Sequence, residues 1–328
     1  MGEDTPVELT EDEAQLYDRQ IRLWGVESQK SLRNANILII SMNGLGAEVA
    51  KNIILSGVKS VTFMDDVLTS EEERFSQFLI PFEKVGVNRA IASVERAKDL
   101  NPLVTVSALA NNPSTLNADN IKNYDVVITM EQNVDTVIQL DSLCRDNKIK
   151  FFSADVFGMF GYFFADLQEH EYIMNVPTTV KNQGNVQTLK ETRVEKFPSF
   201  KEAFEFDFST DENSPLLHRM EPSYFVFRIL MKFRNEHNRY PNDSDEDFEK
   251  LSQLRDAELK GICYSKSKIS DDLLKICVGC PVSAVCAILG AMVAQEVIKA
   301  VSHRDHPNKN MFFFNALTNV GHVQCLSA

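Results

Sequence analysis

From residue 35 to residue 156, short apolar runs alternate with stretches whose apolar residues recur at helical spacing. Ala35 to Ser41 (ANILIIS) is an unbroken, β-branched-rich run, Leu45 to Ser56 has helical spacing, and Lys59 to Met64 is a second apolar run that stops at Asp65. These three segments read as a βαβ unit, which points to a parallel sheet covered by helices on both faces. The pattern then repeats: a helix over Asn88 to Leu100, a short strand over Thr105 to Ala108, a buried strand over Tyr124 to Thr129, a helix over Asn133 to Asn147 and a strand over Lys150 to Val156. Such repetition predicts an α/β fold on a doubly wound, mostly parallel sheet of the Rossmann-like kind.

From about Glu169 to about Ile269 the alternation breaks down. Asn175 to Lys201 is polar and reads as irregular, with a flexible stretch at Lys181 to Glu195. Two helices stand out. Tyr224 to Asn235 places Tyr224, Phe227, Leu230 and Met231 on one face, and Asp247 to Lys260 does the same with Phe248, Leu251 and Leu254, with Gly261 as its stop signal. The acidic run Asp243 to Glu249 (DSDEDFE) reads as a solvated surface. Core composition returns after Asp271, with a small-residue helix over Ser283 to Ser302 and final strands at Met311 to Asn315 and Gly321 to Cys325. The expected organisation is therefore residues 1–168 and 270–328 forming one sheet domain, with 169–269 as a small, partly helical and partly flexible insertion.

Composition narrows the function classes. The 328 residues are 44% hydrophobic and 25% charged, as in globular proteins, and 34 basic against 47 acidic side chains give a net charge of −13. A phosphate backbone is met by basic surface, so nucleic acid is not an expected partner. The uncharged stretch Val278 to Gln295 contains Gly279, Pro281, Ser283 and Gly290 and is followed at once by Glu296 and Lys299, which favours a buried helix over a membrane span. The six cysteines lie mostly in apolar stretches, and no signal peptide precedes them, so an intracellular, reducing setting is expected.

The candidate chemistry starts at Gly44-Leu45-Gly46, where a strand runs into a helix. A nucleotide phosphate would rest on that helix N-terminus, and Asp65, ending the next strand, would meet a ribose hydroxyl. The full fingerprint is absent, because Ser41-Met42-Asn43-Gly44-Leu45-Gly46-Ala47-Glu48 offers one close glycine pair rather than a spaced triplet. From this segment alone, a nucleotide site and a simple tight turn are equally good readings.

Several segments together resemble the activating enzymes of ubiquitin-like modifiers. They are Tyr17-Asp18-Arg19-Gln20-Ile21-Arg22-Leu23-Trp24-Gly25, Gly44-Leu45-Gly46-Ala47-Glu48, Gln77-Phe78-Leu79, Asn101-Pro102 and Asp155-Val156-Phe157-Gly158, in matching order and spacing. Within that family the likeness is greatest to the smaller, non-catalytic half of the heterodimeric SUMO-activating enzymes. The resemblance implies a ThiF/MoeB-type adenylation fold, nuclear residence, and a larger catalytic partner that binds ATP, magnesium and SUMO.

The resemblance also says which half this is. An adenylating half carries a second Asp two residues after the one matched by Asp65, where this chain has Val67. Its phosphate-binding Arg falls at Ser76, its phosphate-binding Lys at Arg89 and its magnesium-binding Asp at Gln132, with Glu131 adjacent but aimed elsewhere. The turn Gly44, Gly46 and Asp65 is thus expected to be vestigial, with no cofactor or metal bound by this chain. No cysteine lies between Cys144 and Cys263 to accept a modifier, and Cys277-x-x-Cys280 is one pair where zinc needs two, so buried thiols are expected. In the family, the Arg matching Arg19 crosses the dimer interface to the triphosphate held by the partner. The plain alternative is that Arg19 and Arg22 form surface ion pairs with Asp12, Glu13 and Asp18. Trp24, the single tryptophan, reads as an anchor for the N-terminal helix. Two other functions compete: a nicotinamide-dependent oxidoreductase using Gly44, Gly46 and Asp65, which lacks a well-placed catalytic His or Tyr, and a non-catalytic adaptor for a different ubiquitin-like modifier.

Overall fold

The computed structural model describes residues 9–179, 186–208, 210, 214–260, 262 and 264–326. Ten strands are present among them: β1 Asn36–Ile40, β2 Ser60–Met64, β3 Thr105–Leu109, β4 Val126–Thr129, β5 Lys150–Phe157, β6 Phe160–Asp166, β7 Glu169–Thr179, β8 Val186–Lys196, β9 Met311–Asn315 and β10 Val320–Gln324. Eight form one sheet in the order β10-β9-β6-β5-β4-β1-β2-β3. Strands β1 to β5 are mutually parallel, whereas β6, β9 and β10 add antiparallel at one edge. The order reverses between β1 and β4, the switch point at which open α/β sheets place their crevice.

Period-two alternation divides the core. Ile37 and Ile39 of β1 point to a face covered by the helices Gly44–Leu55, Arg89–Leu100 and Ser283–Ser302, whereas Leu38 and Ile40 point to a second core built with Val134–Asp146 and Pro222–His237. In β1, β2, β4 and β5 both faces are buried, which is why these strands read as continuous apolar runs. The Ser283–Ser302 helix is long and apolar enough to cross a membrane, yet it packs along Gly44–Leu55 and against β5 and β6. A Cβ on Gly290 would lie 2.7 Å from Cβ of Glu48, so glycine is what permits that close helix–helix approach.

Two expectations require correction. Residues 175–179 and 186–196 are not irregular: β7 and β8 pair in antiparallel register from Glu169↔Lys196 to Thr179↔Val186. Of the stretch expected to be flexible, Val186 to Glu195 lies within β8, and 181–185 lie outside the described residues. In β8 every position from Leu189 to Val194 is exposed, so that strand lacks the alternation that identifies a strand in sequence, whereas β7 alternates at its start, with His170 and Tyr172 buried. Strand β6 was not predicted either; its FGYFFAD segment is buried throughout and follows a tight turn at Gly158, whose φ is +54°. The two insertion helices run over Pro222–His237 and Asp245–Glu258, and the stop signal at Gly261 lies outside the described residues.

Candidate functional site

Asn43 adopts extended backbone geometry and its side chain accepts from the Gly46 N–H at 2.9 Å, so the turn that opens the Gly44–Leu55 helix is capped by the chain itself. Both glycines are demanded by packing. A Cβ on Gly46 would sit 2.3 Å from the Ser41 carbonyl oxygen, and one on Gly44 3.0 Å from that of Ser76. The Glu73–Ser76 helix thus leans over the position a phosphate would need. Gln77 fixes it there, donating to the Met42 carbonyl at 3.1 Å and the Ser93 hydroxyl at 2.8 Å while accepting from the N–H groups of Leu79 and Ile80.

Asp65 is placed where the pattern predicts, at the end of β2, but its carboxylate is fully engaged. It accepts from the Met42 N–H at 2.7 Å and the Val67 N–H at 2.9 Å. Arg89 completes its shell, Nε to Oδ2 at 2.9 Å and Nη2 to Oδ1 at 3.2 Å. The same guanidinium reaches Glu73 at 2.7 Å and Glu131 at 2.9 Å. Its side chain is only 3% exposed. Burial works to lower the Arg89 pKa, but the Glu131, Asp65 and Glu73 carboxylates outweigh it and hold the group charged. Glu131, conversely, is pushed up by burial, with Arg89 and Arg234 opposing.

Gln132 donates to the Ser41 hydroxyl at 3.0 Å and the Met130 carbonyl at 3.1 Å, an amide occupying a position where a metal would need a carboxylate. Ser41 and Glu131 both have positive φ, 71° and 60°, which turns the Glu131 side chain toward Arg89. A cavity of about 580 Å³ remains beside this cluster, lined among others by Val67, Leu68, Phe75, Arg89, Glu131 and Tyr240. Behind it, Arg234 donates to Asp155 at 2.6 Å and Tyr240 donates its hydroxyl to the same carboxylate at 2.6 Å, so the Asp155-Val156-Phe157-Gly158 segment ties the insertion to the sheet. Sequence reasoning identified Asp65 and Arg89 but missed their pairing with Glu73 and Glu131.

The N-terminal residues form three short helices, Glu11–Leu16, Asp18–Trp24 and Val26–Asn34, rather than one. Of the expected surface ion pairs, Arg22 with Asp18 is present at 3.0 Å, whereas Glu13 is buried and pairs instead with Arg33. Arg19 is exposed and has no hydrogen bond or ion pair among the described residues. It shares the Asp18–Trp24 helix with exposed Leu23. Trp24 anchors the helix as expected: its Nε1 donates to Gln29 at 3.0 Å, its carbonyl accepts from Arg304, and its ring packs on the core. Tyr17 and Asn101, from two separate motif segments, meet directly, the Asn101 amide donating to the Tyr17 hydroxyl at 2.9 Å.

The thiols separate into two groups. Cys144, Cys277 and Cys286 are buried, and burial pushes the Cys286 thiol up to about 12. Cys280 is exposed, which corrects the expectation that the Cys277-x-x-Cys280 pair is buried as a whole; it stands between Gly279, at φ +84°, and Pro281, where the chain turns outward. Among the described residues no group of three metal-ligating side chains converges.

The ThiF family matches residues 17–327. SUMO-activating enzyme subunit 1 of Bos taurus is 40% identical over 334 residues, covering 97% of this chain and 96% of that protein. The Homo sapiens protein of the same name is 38% identical, with 97% and 96% covered. A crystal structure of E. coli MccB with succinimide superimposes with a TM-score of 0.56 at 14% identity, covering 95% of this chain and 71% of that one, a likeness of fold. With its sheet order, its glycine turn and relatives of this closeness along nearly its whole length, the chain belongs to the ThiF family, among the SUMO-activating enzyme subunit 1 proteins.

Proposed function

We propose that this chain is the non-catalytic half of a heterodimeric SUMO-activating enzyme, inactive alone and required by a larger subunit that adenylates the SUMO C-terminus and then carries it as a thioester. The observation that carries the reading is the state of Asp65. Its lone pairs are taken by Arg89 and two backbone N–H groups, so a ribose would have to displace a buried ion pair. Arg89 faces three carboxylates, and the local excess of negative charge repels a triphosphate. ATP and magnesium are accordingly assigned to the partner subunit.

Arg19 is this chain's contribution to the chemistry. A guanidinium stays charged at any working pH and presents donors in a fixed fork, suited to charge building on a phosphate chain as the carboxylate attacks. Its lack of an intramolecular partner leaves those donors available to a second subunit. The partner's docking face is assigned to the groove between the N-terminal helices and Ser283–Ser302, beside exposed Leu23 and Leu55. Residence in the nucleus is proposed on family likeness.

The deciding experiment is ATP–pyrophosphate exchange with SUMO present, measured for the chain alone, for the larger subunit alone and for the two mixed. Exchange only in the mixture supports the reading. Robust exchange by this chain alone overturns it.

A further inference from the structure

The helix that carries Arg19 is placed by its ends rather than by its faces. Asp18–Trp24 runs for only seven residues and none of them is buried, so neither length nor a buried stripe fixes its position. Only the half-buried Trp24 ring reaches the core, and polar contacts do the rest. Near the start, Gln20 Nε2 donates to the Leu55 carbonyl at 3.0 Å. At the end, the Trp24 carbonyl, left without a partner inside the helix, accepts from the Ser28 hydroxyl at 2.8 Å and from Arg304 Nη1. Ser28 belongs to the adjoining Val26–Asn34 helix, whereas Arg304 comes from 280 residues further along the chain.

Arg304 is itself aimed by a pinned turn. The Ser283–Ser302 helix is capped by His303 at φ +53°, and Asp305 follows at +63°. Strand β7 grips both sides of this turn: the Ile173 N–H donates to the His303 carbonyl at 2.9 Å, and the Asp305 N–H donates to the Ile173 carbonyl at 3.1 Å. The His303 ring stacks on the buried His170 ring with 5.0 Å between centroids. Gly25 makes room for the guanidinium, since its φ is +89° and a Cβ there would lie 2.7 Å from Arg304 Nη1. The first strand of the insertion is thereby connected, through one side chain, to the carbonyl end of the Arg19 helix.

We propose that Arg304 is a positioning residue for Arg19: by holding the Trp24 carbonyl it sets the angle at which the Asp18–Trp24 helix presents the Arg19 guanidinium to the phosphates held by the partner subunit. The inference rests on the assignment of Arg19 to that chemistry. Five residues, about 7.5 Å of helical rise, separate Arg19 from Trp24, so a tilt released at one end is carried to the other. A displacement of about 1 Å caused by a group remote from the reacting atoms costs up to about 100-fold in rate. Arg304 touches no reacting atom, and its whole effect passes through Arg19.

The test is a double-mutant cycle on the assembled heterodimer, combining Arg304→Met with Arg19→Ala and read by ATP–pyrophosphate exchange with SUMO present. Methionine keeps an apolar stem and deletes the donors. With Arg19 in place, Arg304→Met is expected to lower kcat on the order of 10-fold, and by no more than Arg19→Ala does, with the KM for SUMO unchanged. Arg304→Lys should recover part of that loss, because an ammonium still donates to a carbonyl. In the Arg19→Ala background, adding Arg304→Met should change the rate by less than about twofold. Amide exchange at residues 21–25, which reports the seating of the helix end, should quicken in Arg304→Met.

Arg304 also lines the groove assigned to the partner, so sedimentation accompanies each variant, and Arg304→Lys carries the same cycle if Arg304→Met does not assemble. Equal fold losses in the two backgrounds, which destabilisation or weakened docking would give, or a wild-type kcat in the Arg304 variant, would overturn the proposal while leaving Arg19 its role. Wild-type exchange in Arg19→Ala removes that role, and the proposal with it.

Discussion

The guanidinium of Arg89 lies against the carboxylate of Asp65 in a two-pronged pair, 2.9 Å from Nε to Oδ2 and 3.2 Å from Nη2 to Oδ1, with both side chains almost wholly buried. A carboxylate at the end of β2 is the residue a nucleotide ribose would use. Here it is a structural acceptor, and the cation that satisfies it comes from the first turn of the Arg89–Leu100 helix. Around it the pocket wall is an ion cluster in which one guanidinium meets three carboxylates.

Arg89→Met is therefore expected to destabilise the chain strongly. Removing the cation leaves Asp65 buried and Glu131 partly buried without their charge partner, and breaking a buried pair from one side costs about 3–5 kcal/mol. Urea unfolding at neutral pH measures it. A loss below about 1 kcal/mol would mean the cluster is far better hydrated than its burial indicates.

Arg19→Ala should leave folding and dimer assembly intact and slow adenylation by the reconstituted heterodimer. Charge-assisted hydrogen bonds are worth about 1.5–3 kcal/mol, which corresponds to roughly 10- to 150-fold in rate. Arg19→Lys should recover part of the loss, since charge returns without the fork. Pyrophosphate exchange alongside gel filtration separates a rate defect from an assembly defect.

The isolated chain should bind ATP no better than in the millimolar range, even with magnesium, because the ribose acceptor is occupied and the turn is overhung by Ser76. Titration calorimetry gives the answer directly. Micromolar affinity would return a nucleotide role to Gly44, Gly46 and Asp65.

Gly46→Ala should destabilise by about 1–3 kcal/mol or more, since the added Cβ meets a backbone oxygen that cannot swing away. Gly86→Ala is the control on space alone: nothing lies within 4 Å of its Cβ, although its φ of +81° still adds backbone strain. Thermal unfolding of the two variants should rank Gly46→Ala well below Gly86→Ala.

Mixing the chain with its larger subunit should give a 1:1 complex burying roughly 2,000 Å² or more, as obligate interfaces do. Sedimentation at micromolar concentration checks the stoichiometry. A chain that stays monomeric in that mixture would remove the heterodimer from the account.

The parallel half of the sheet was legible because strands buried on both faces must be apolar at every position, and helices between them must carry one apolar stripe. ANILIIS and the Leu45 to Ser56 spacing could form little else. The motif segments likewise led to the family, and with it to the substitutions at Ser76, Arg89 and Gln132. What the one-dimensional pattern could not carry was anything set by pairing across distance. Strand β8 is exposed at every position from Leu189 to Val194, so no face marks it and its pairing with β7 exists only in the register from Glu169↔Lys196 onward. Arg89 read as a milder stand-in for a lysine, and only the folded chain brings Glu73 and Glu131, 16 and 42 residues away in sequence, onto the same guanidinium. Local pattern is decided by whether each residue faces core or solvent, which composition and spacing record. The charge state and occupancy of a buried site are decided by which carboxylates converge on which cation, and that is settled when the sheet brings β2, β4 and the helices that follow them together.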